Sequence, residues 1–394
     1  MRERGLAALL GACLWVGSVG PAVAQSQLLS GYLQTVPVYN TSTELQESNL
    51  TSFSRFRLTS EPVFGAFSIN AAYEHAVTFR WRDLIGGPVG VVPSGGEWLN
   101  LQWAPSSSEH VRWQHRFDRL AVGWSPTRAV ELSVGRQAVS WGTTLFLTPA
   151  DPFSPFSPAD PFREFRAGVD AARVRISPSA LSEIDVVVRA TETVVGVETT
   201  ALARGLTTVN NWEISGWGGS LYGDAAGAVA AAGAFGAWAV RGETVVRQLD
   251  GATNLRGTIG VDRLFQIKRR DTLVLVEYQH DQMGAAGPDE YLDIVRSAPF
   301  ARGEFQVIGR DETVLQASMQ VHPLWSIAGL WLWNLNDRSA LLSPTVAYSL
   351  SDEASVAGGI LVGVGDDEPT ADRPLPSEYG LSGVTAYLSA SWYF

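Results

Sequence analysis

Apolar and polar residues alternate along much of the chain with a period of two, the spacing that places successive strand side chains on opposite faces. From Phe67 to Trp81 every second residue is apolar apart from His75, and the residues between them, such as Glu74 and Arg80, are polar or small. The alternation returns at residues 255–262, 273–280, 313–321 and 325–333. A soluble β-sandwich would also alternate, but strands of about 9–11 residues suit a tilted crossing of a bilayer better.

The pattern predicts an all-β protein, a transmembrane antiparallel up-and-down β-barrel with about 16 strands and a range of about 12 to 18. Pro344 conflicts with a central strand, because a closed barrel has no edge that could accommodate a missing N–H donor. A bulge or a later strand start is therefore expected there. The expected strands lie near residues 29–40, 50–60, 63–81, 111–124, 129–141, 168–177, 182–191, 211–222, 228–241, 254–266, 272–281, 312–321, 325–334, 340–350, 354–364 and 384–394.

The connections between these strands are of two lengths. Tight turns are expected near residues 60–62, 177–179, 268–271, 322–323 and 351–353. Longer segments fall near residues 82–110, 142–167, 192–210, 282–302 and 365–382. Short turns at one end of the strands and long loops at the other are typical of outer-membrane barrels.

The first 24 residues are predicted to be an export signal peptide, which leaves residues 25–394 as the barrel. Arg2 and Arg4 form a basic start, an apolar stretch follows, and small residues up to Ala24 supply a cleavage site. A membrane-spanning anchor is the weaker interpretation, because glycines interrupt a stretch shorter than the roughly 20 residues that a spanning helix needs. Lipoprotein processing at Cys13 is left as an alternative.

The last strand has one apolar face, formed by Ala386, Leu388, Ala390, Trp392 and Phe394. A final strand of this kind that ends in an aromatic residue resembles the assembly signal of bacterial outer-membrane barrels. Trp392 and Phe394 are therefore assigned to that signal. Closure of a barrel also requires the last strand to pair with the first, because an unpaired strand edge cannot face lipid.

Composition removes several function classes. The net charge is −11, and an acidic chain is a poor candidate for nucleic-acid binding. Cys13, the single cysteine, lies in the predicted signal peptide, so the mature chain is expected to lack disulfides, thiolate metal sites and a cysteine nucleophile. The five histidines lack metal-ligand spacing, and no nucleophile–base motif is present. No cofactor, metal or enzymatic activity is predicted; residues 110–115, with a histidine at each end, are the stretch kept as an enzymatic candidate.

The segment 133–176 differs from the rest of the chain in its prolines and phenylalanines. Within it the sequence Pro-Ala-Asp-Pro-Phe occurs at residues 149–153 and again at 158–162. Proline fixes φ and Asp-Pro favours turns, so the loop at 142–167 is expected to be stiff, although it is neither helix nor strand. Its phenylalanines need a surface to bury against. The loop therefore either caps the barrel from outside or folds into the lumen and narrows a pore.

Short motifs on either side of this Pro/Asp-rich loop resemble a set of porin-like outer-membrane β-barrels from Gram-negative bacteria, a family of largely unassigned function. They are Gly-Arg-Gln at 135–137, Trp-Gly at 141–142 and Gly-Val-Asp-Ala at 168–171. Alginate-export-type barrels share a looser version of the first motif. The resemblance covers a small part of the chain; it implies a fold and an outer-membrane location, and hardly a substrate.

Arginines on the strands beside this loop are expected to face the lumen, because an arginine facing lipid at mid-depth costs roughly 2–4 kcal/mol. Arg136 conflicts with this assignment, since it shares the phase of apolar Val134, and either a bulge at Gly135 or a wrong register is needed. Two roles are left open for these charged residues: a solvated wall in which acidic residues offset the arginines, or a region that selects solutes. The candidates for the pore lining are Arg55, Arg57, Arg136, Asp151, Asp160, Arg173, Arg175, Asp185 and Arg189.

The leading interpretation is a porin or substrate-specific channel for passive passage of small polar or charged solutes. A non-conducting barrel with a structural or envelope-assembly role is the alternative, and an outer-membrane enzyme comes third. The expected location is the cell outer membrane, reached after export and cleavage near Ala24. Expected partners are outer-membrane lipid and lipopolysaccharide, the barrel-assembly machinery and a small solute; a homo-oligomer is left open.

Overall fold

A computed structural model describes residues 29–45, 47–81, 96–108, 110–153, 162 and 165–394. The predicted signal peptide lies outside these residues. Within them the strands run antiparallel in one sheet. They are β1 (Ser30–Asn40), β2 (Asn49–Ser60), β3 (Val63–Phe64), β4 (Phe67–Arg80), β5 (Gln102–Ser107), β6 (Val111–Thr127), β7 (Val130–Gln137), β8 (Val169–Ser179), β9 (Ser182–Thr193), β10 (Gly196–Val209), β11 (Trp212–Leu221), β12 (Asp224–Phe235), β13 (Trp238–Leu249), β14 (Ala252–Ile267), β15 (Arg270–Asp281), β16 (Asp311–His322), β17 (Trp325–Asn334), β18 (Ala340–Ser349), β19 (Ala354–Val364) and β20 (Val384–Tyr393).

The sheet closes on itself, because β1 pairs with β2 on one side and with β20 on the other. The predicted all-β antiparallel barrel is thereby confirmed. β3 and β5 are short additions to the wall, so the closed barrel has 18 strands. The expectation of about 16 is too low, and the observed number stands at the upper end of the expected range.

Two strands escape the sequence pattern. The long loop expected at 192–210 is wrong, because Gly196–Val209 form β10. The single strand expected at 228–241 is also wrong, since Gly236, with φ of 60°, lies in the turn between β12 and β13. Both regions are rich in alanine, glycine and threonine, whose small side chains give little contrast between an apolar and a polar face.

Side chains of the wall alternate between the outside and the lumen. Val229, Ile259 and Leu388 point outward and are 67%, 58% and 53% exposed. Glu243 and Glu277 point inward and are almost fully buried. An apolar outer face around polar groups is the arrangement that a barrel in lipid requires, because charges facing hydrocarbon would lose their hydration.

The two ends of the barrel carry different connections. At the end where the chain enters β1 and leaves β20, two-residue turns lie at 128–129, 180–181, 210–211, 236–237 and 268–269. At the opposite end the connections at 138–168, 282–310 and 365–383 are long. The predicted asymmetry holds only in part, since three connections at this second end, at 194–195, 222–223 and 250–251, are also two residues long.

The long connections contain the helical residues. The connection after β15 holds α1 (Tyr291–Arg296) and α2 (Ala298–Ala301), preceded by a 3₁₀ turn at Pro288–Glu290. A second 3₁₀ turn, Gly380–Ser382, precedes β20. In the part of the chain that the structure describes, no helix is both long and apolar enough to cross a membrane.

Pro344 lies inside β18, and the expected bulge or later strand start is wrong. The strand pairs with β17 through Pro344, opposite Gly329. On its other side the pairs with β19 lapse between Leu342 and Thr345, and the register is the same before and after the lapse. The missing N–H donor therefore interrupts one ladder locally without shifting either strand.

Trp392 and Phe394 complete the seam of the barrel. Gly31 and Phe394 exchange backbone hydrogen bonds of 2.9 and 3.0 Å. The Phe394 ring is stacked on Phe56 at 6.0 Å, and a Cβ at Gly31 would clash with the Arg57 carbonyl oxygen and lie 2.6 Å from that ring. Position 31 therefore needs glycine for the ring to pack. The role of these aromatic residues as an assembly signal stays a prediction.

Candidate functional site

The connection after β7 turns into the barrel rather than away from it. Trp141, Ala150 and Phe153 are almost fully buried and pack against inward-facing side chains of the wall, including Val187 and Trp217. The Trp141 and Phe153 rings meet edge to face at 4.8 Å. The described start of the loop at 142–167 is thus part of the core that fills the lumen, and not a cap outside it.

Glu277 on β15 holds the tip of this loop. Its carboxylate accepts hydrogen bonds from the backbone N–H groups of Leu145, Phe146 and Leu147, at 2.7, 3.0 and 2.8 Å. Bonds to a charged acceptor contribute about 1.5–3 kcal/mol each. Because three consecutive amides converge on one wall side chain, the loop has a fixed position at this point.

Glu243 on β13 provides a second anchor of the same kind. Its carboxylate accepts the N–H groups of Thr143, Thr144 and Ala150, at 2.7, 3.1 and 2.9 Å. These residues lie on both sides of the tip, so Glu243 closes the loop as well as tying it to the wall. The two glutamates satisfy backbone donors that have no secondary-structure partner.

The wall formed by β9 and β11 contributes further bonds. The Trp141 indole donates to Asp185 at 2.8 Å, and the Trp217 indole donates to the carbonyl oxygen of Ala150 at 2.8 Å. Arg189 donates to the carbonyl oxygen of Phe153 at 3.0 Å. The first half of the loop is therefore fastened along the whole stretch from 141 to 153.

The returning half of the loop reaches the opposite wall. Phe162 packs edge to face on Phe53 of β2 at 5.5 Å and on Tyr387 of β20 at 4.8 Å. Phe165 stacks on Tyr32 at 6.0 Å, and the guanidinium of Arg57 lies 4.6 Å from the Phe165 ring centre. Since the loop touches both walls, it crosses the lumen.

A cavity of about 290 Å³ remains between the loop and the wall of β2, β4 and β6. Its lining mixes aromatic, polar and charged groups. The lining residues are Tyr32, Phe53, Arg55, Glu74, Ala76, Thr78, Gln114, Arg116 and Phe165.

Ion pairs run along the wall beside this cavity. Glu74 lies between Arg57 and Arg116, with nitrogen–oxygen distances of 2.5 Å to each. Asp118 lies 2.8 Å from Arg57 and 2.8 Å from Arg119. Glu74 is thus shared by two arginines and Asp118 by three, since Arg116 also lies 4.0 Å from Asp118. Three arginines face two carboxylates, which leaves the wall with more positive than negative charge.

A β-bulge brings two consecutive residues of β6 into this network. Ala72 pairs with Arg119, whereas the next residue, Tyr73, pairs with Phe117, so Asp118 is the extra residue. Asp118 and Arg119 consequently both face the lumen, since a bulge redirects a side chain. A strict alternation, as used for the sequence prediction, cannot place both there.

Arg55 is the predicted candidate that lines the cavity most directly. Its guanidinium donates to the Phe162 carbonyl oxygen at 3.3 Å and lies 5.5 Å from the Phe53 ring centre. Among the described residues, no carboxylate lies within ion-pair distance of it. Arg55 therefore offers its charge to the cavity, whereas its neighbour Arg57 is 3% exposed and neutralised.

Other candidates hold the loop and do not line the cavity. Arg173 binds Asp185 through two nitrogens, at 2.9 and 2.6 Å, and Asp185 in turn binds Trp141. Arg189, described above, has the same anchoring role. Asp151 accepts a hydrogen bond from Ser140 at 2.8 Å, within the same connection between β7 and β8.

One more candidate lies apart from the loop, and another lies outside the described residues. Arg175 pairs with Glu131 at 2.5 Å, and both are about one third exposed. Asp160 falls outside the described residues.

Arg136 does not line the cavity, and the bulge considered at Gly135 is not found. No register shift occurs at Gly135, so Arg136 keeps the phase of Val134. Its guanidinium binds both oxygens of Asp170, at 2.7 and 2.8 Å, and is covered by the segment that contains Glu97, 2.9 Å away. Burial and five acceptor oxygens, on Asp170, Glu97, Leu99 and Phe117, accommodate the charge of Arg136 away from the lumen.

An arginine cluster that the sequence analysis missed lies at the loop-bearing end. Arg247 and Arg302 lie 5.8 and 5.0 Å from the Tyr222 ring centre, and both pair with Glu304. Arg256 pairs with Asp281 at 2.8 Å. The inward phase of Arg247 follows from the alternation of β13, but its partners come from a distant connection that no local pattern predicts.

Two long connections are fastened to each other by Glu378. Its carboxylate accepts the N–H groups of Ile308 and Gly309, at 2.8 and 3.1 Å, and the side-chain amide of Asn334 at 2.7 Å. Burial raises the pKa of Glu378 above its ordinary value, although these hydrogen bonds favour the ionised form. Glu312, also buried, faces the same pocket and accepts from a neighbouring tyrosine.

Neither histidine of the stretch 110–115 lines the cavity, although Gln114 between them does. His115 faces the outside, where its ring stacks on Trp103 at 5.3 Å and meets His75 at 4.8 Å. Across the part of the chain that the structure describes, no group of three potential ligands is arranged to hold a metal ion.

Solved structures share this fold at very low sequence identity. A BenF-like porin from Pseudomonas fluorescens Pf-5 superposes with a TM-score of 0.56 and 9% identity, over 93% of this chain and 98% of that one. OccK5 (OpdH) of Pseudomonas aeruginosa gives 0.54 and 11%, over 93% and 98%. OccAB1 of Acinetobacter baumannii gives 0.53 and 10%, over 93% and 95%.

These similarities confirm the predicted likeness to Gram-negative outer-membrane porins at the level of the fold. No protein-family model matches the sequence, and no curated protein is similar to it.

Proposed function

We propose that the protein is an outer-membrane channel through which small polar or anionic solutes pass passively. The observation that carries the proposal is the charged cavity left between the inserted loop and the wall of β2, β4 and β6. A packed structural core would be expected to fill such a space with apolar side chains.

The outer surface supports a location in a membrane. Strands with an apolar outer face, closed so that no edge remains, are the β-structure that can span lipid. Outward aromatic residues such as Trp124, Trp238 and Trp325 lie close to the short turns, at the level where such rings favour a membrane–water interface. The porin fold and the predicted signal peptide favour the outer membrane of a Gram-negative cell.

The charge of the cavity wall favours anions. The lining contains Arg55, Arg116 and Glu74, a surplus of one positive charge. The ion pairs behind the lining add Arg57, Arg119 and Asp118, a surplus of one more. In a narrow, low-dielectric passage such fixed charge selects by electrostatics at close range.

Planar-bilayer recording of the purified protein tests the proposal. Stepwise current increments with a preference for anions are expected. Protein that migrates on gels as a folded, heat-modifiable barrel and yet gives no increments would contradict the channel.

A non-conducting barrel is the second candidate, because the loop and its anchors fill much of the lumen. Absence of current, together with normal folding, would favour it. Contacts with lipopolysaccharide, the barrel-assembly machinery or a second copy of the chain stay predictions.

A further inference from the structure

Arg263 lies on the outer face of β14, between two aromatic rings near the short turns. Its guanidinium carbon is 5.1 Å from the ring centre of Trp238 and 5.1 Å from that of Phe265. The two rings are 6.0 Å apart, edge to face. Alternation places Arg263 in the outward phase of Ile259 and Val261, which are 58% and 36% exposed.

This outward cation has no anionic partner in the part of the chain that the structure describes. Its Nε is buried without a hydrogen-bond partner. The carboxylate next to it in sequence, Asp262, points into the lumen and pairs with Arg241. An arginine that faces lipid is much more costly at the midplane than near the interface, so its guanidinium should reach toward the headgroups.

The turn that follows carries further cations in an unfavourable backbone conformation. Lys268 and Arg269 form the two-residue turn between β14 and β15 with φ of 50° and 64°. Asparagine or glycine favours this left-handed region, and the turn after β10 uses Asn210 and Asn211 with φ of 49° and 63°. Long cationic side chains are unfavourable in this left-handed conformation, and such unfavourable residues are expected where a position serves a function.

We propose that Arg263 and the Lys268–Arg269 turn together bind the phosphate of an anionic phospholipid in the periplasmic leaflet, the side on which outer-membrane barrels carry their short turns. The inference rests on the membrane placement proposed above. Tilted strands advance about 2.5 Å per residue along the membrane normal, so Arg263 lies roughly 10–13 Å inward of the turn. The two sets of cations therefore flank the headgroup layer, one from the hydrocarbon side and one from the water side.

The charges identify the ligand as an anionic lipid. Trp238 and Phe265 offer apolar faces to the acyl chain and glycerol region, while the guanidinium can donate to phosphate oxygens. A zwitterionic lipid carries its own cation beside the phosphate, which would meet Lys268 and Arg269 unfavourably. Binding should therefore favour phosphatidylglycerol over phosphatidylcholine with the same acyl chains.

Native mass spectrometry of the detergent-purified barrel, titrated with each lipid, tests the proposal. The wild type should retain phosphatidylglycerol preferentially. Arg263→Gln should weaken that binding about fivefold, and Lys268→Asn combined with Arg269→Gly should weaken it by about that factor for each charge removed. The double variant restores residues that favour the turn, so its barrel should fold at least as well as the wild type.

Arg128→Gln is the matched control, since Arg128 is an exposed cation in another short turn. It should leave the lipid preference unchanged. Equal retention of both lipids by the wild type, wild-type preference in Arg263→Gln, or the same loss in Arg128→Gln would each overturn the proposal. A folded barrel that binds phosphatidylglycerol but never conducts would contradict the proposed channel and leave this inference standing.

Discussion

Opposite walls of the barrel use inward-facing charge in different ways. On β13 and β15, Glu243 and Glu277 are consumed in binding backbone N–H groups of the inserted loop. On β2 and β6, Arg55 and Arg116 line a cavity that the loop leaves open. The difference arises from the path of the loop, because its anchored backbone N–H groups lie against one wall, whereas Phe162 and Phe165 lie against the other.

An inward phase is therefore not enough to make a charged residue part of a passage. Arg173 and Arg55 share that phase, yet Arg173 is bound to Asp185 by two hydrogen bonds, whereas Arg55 has no carboxylate within reach among the described residues. Arg173 should therefore affect the position of the loop, and Arg55 should affect the solute.

Deletion of residues 149–162 should give the largest effect, because it removes most of the loop whose path makes the two walls differ. The deletion takes away Ala150 and Phe153, which pack in the core, and Phe162, which reaches β2. Single-channel conductance should rise several-fold, because the lumen loses its crossing segment. Unchanged conductance in a folded deletion variant would contradict the assignment of the loop as the constriction.

Glu277→Ala should release the loop from one wall. It removes three hydrogen bonds to a charged acceptor, each contributing about 1.5–3 kcal/mol before water replaces them. Amide exchange at 145–147 should accelerate, and the open-channel current should become noisier. Glu131→Ala is the control: its pair with Arg175 is about one third exposed and contributes little, so loop exchange equal to that of Glu277→Ala would refute the anchor.

Arg55→Glu should shift ion selectivity toward cations more than Arg173→Glu. Reversal at Arg55 changes the charge of the cavity lining directly. At Arg173 the new carboxylate would face Asp185 and disturb the loop, so a smaller shift with altered conductance is expected. Reversal potentials in a salt gradient measure both, and an equal or larger shift at Arg173 would show that the passage runs along the other wall.

The smallest effect concerns the connections at the loop-bearing end. Burial raises the pKa of Glu378, so above its ordinary value of 4.5 the folded protein holds a proton that an undocked loop would release. Docking of the connections at 282–310 and 365–383 should weaken as the pH rises from there. Limited proteolysis should show this trend in the wild type and lose it in Glu378→Gln; the same trend in both would exclude Glu378 as its source.

Much of the wall follows from alternation alone. The strands near Phe67–Arg80 and Asp311–His322, and the seam made by Trp392 and Phe394, were predictable because their two faces differ strongly in polarity. β10 was not, since Ala201, Ala203 and Gly205 give its outer face little contrast.

The candidate site was less predictable than the wall. Alternation assigned Arg55 and Arg173 to the lumen, but only the three-dimensional path of the loop decides which of them meets a solute. Glu277 also has an inward phase, and its acceptor role depends on amides 130 or more residues away in sequence. For Arg136 the predicted lumenal position is wrong. Its phase is outward, and a segment distant in sequence covers it and supplies two of its partners.

Single-cysteine labelling during bilayer recording tests the central claim most directly. Cys13 precedes the predicted cleavage site, so Ala76→Cys, in the cavity lining, should supply the only thiol of the mature chain. A methanethiosulfonate reagent should then reduce the current of Ala76→Cys and leave that of Ala228→Cys, buried in the loop-packed core, unchanged. A current that falls in Ala228→Cys and stays unchanged in Ala76→Cys would contradict a passage along β2, β4 and β6.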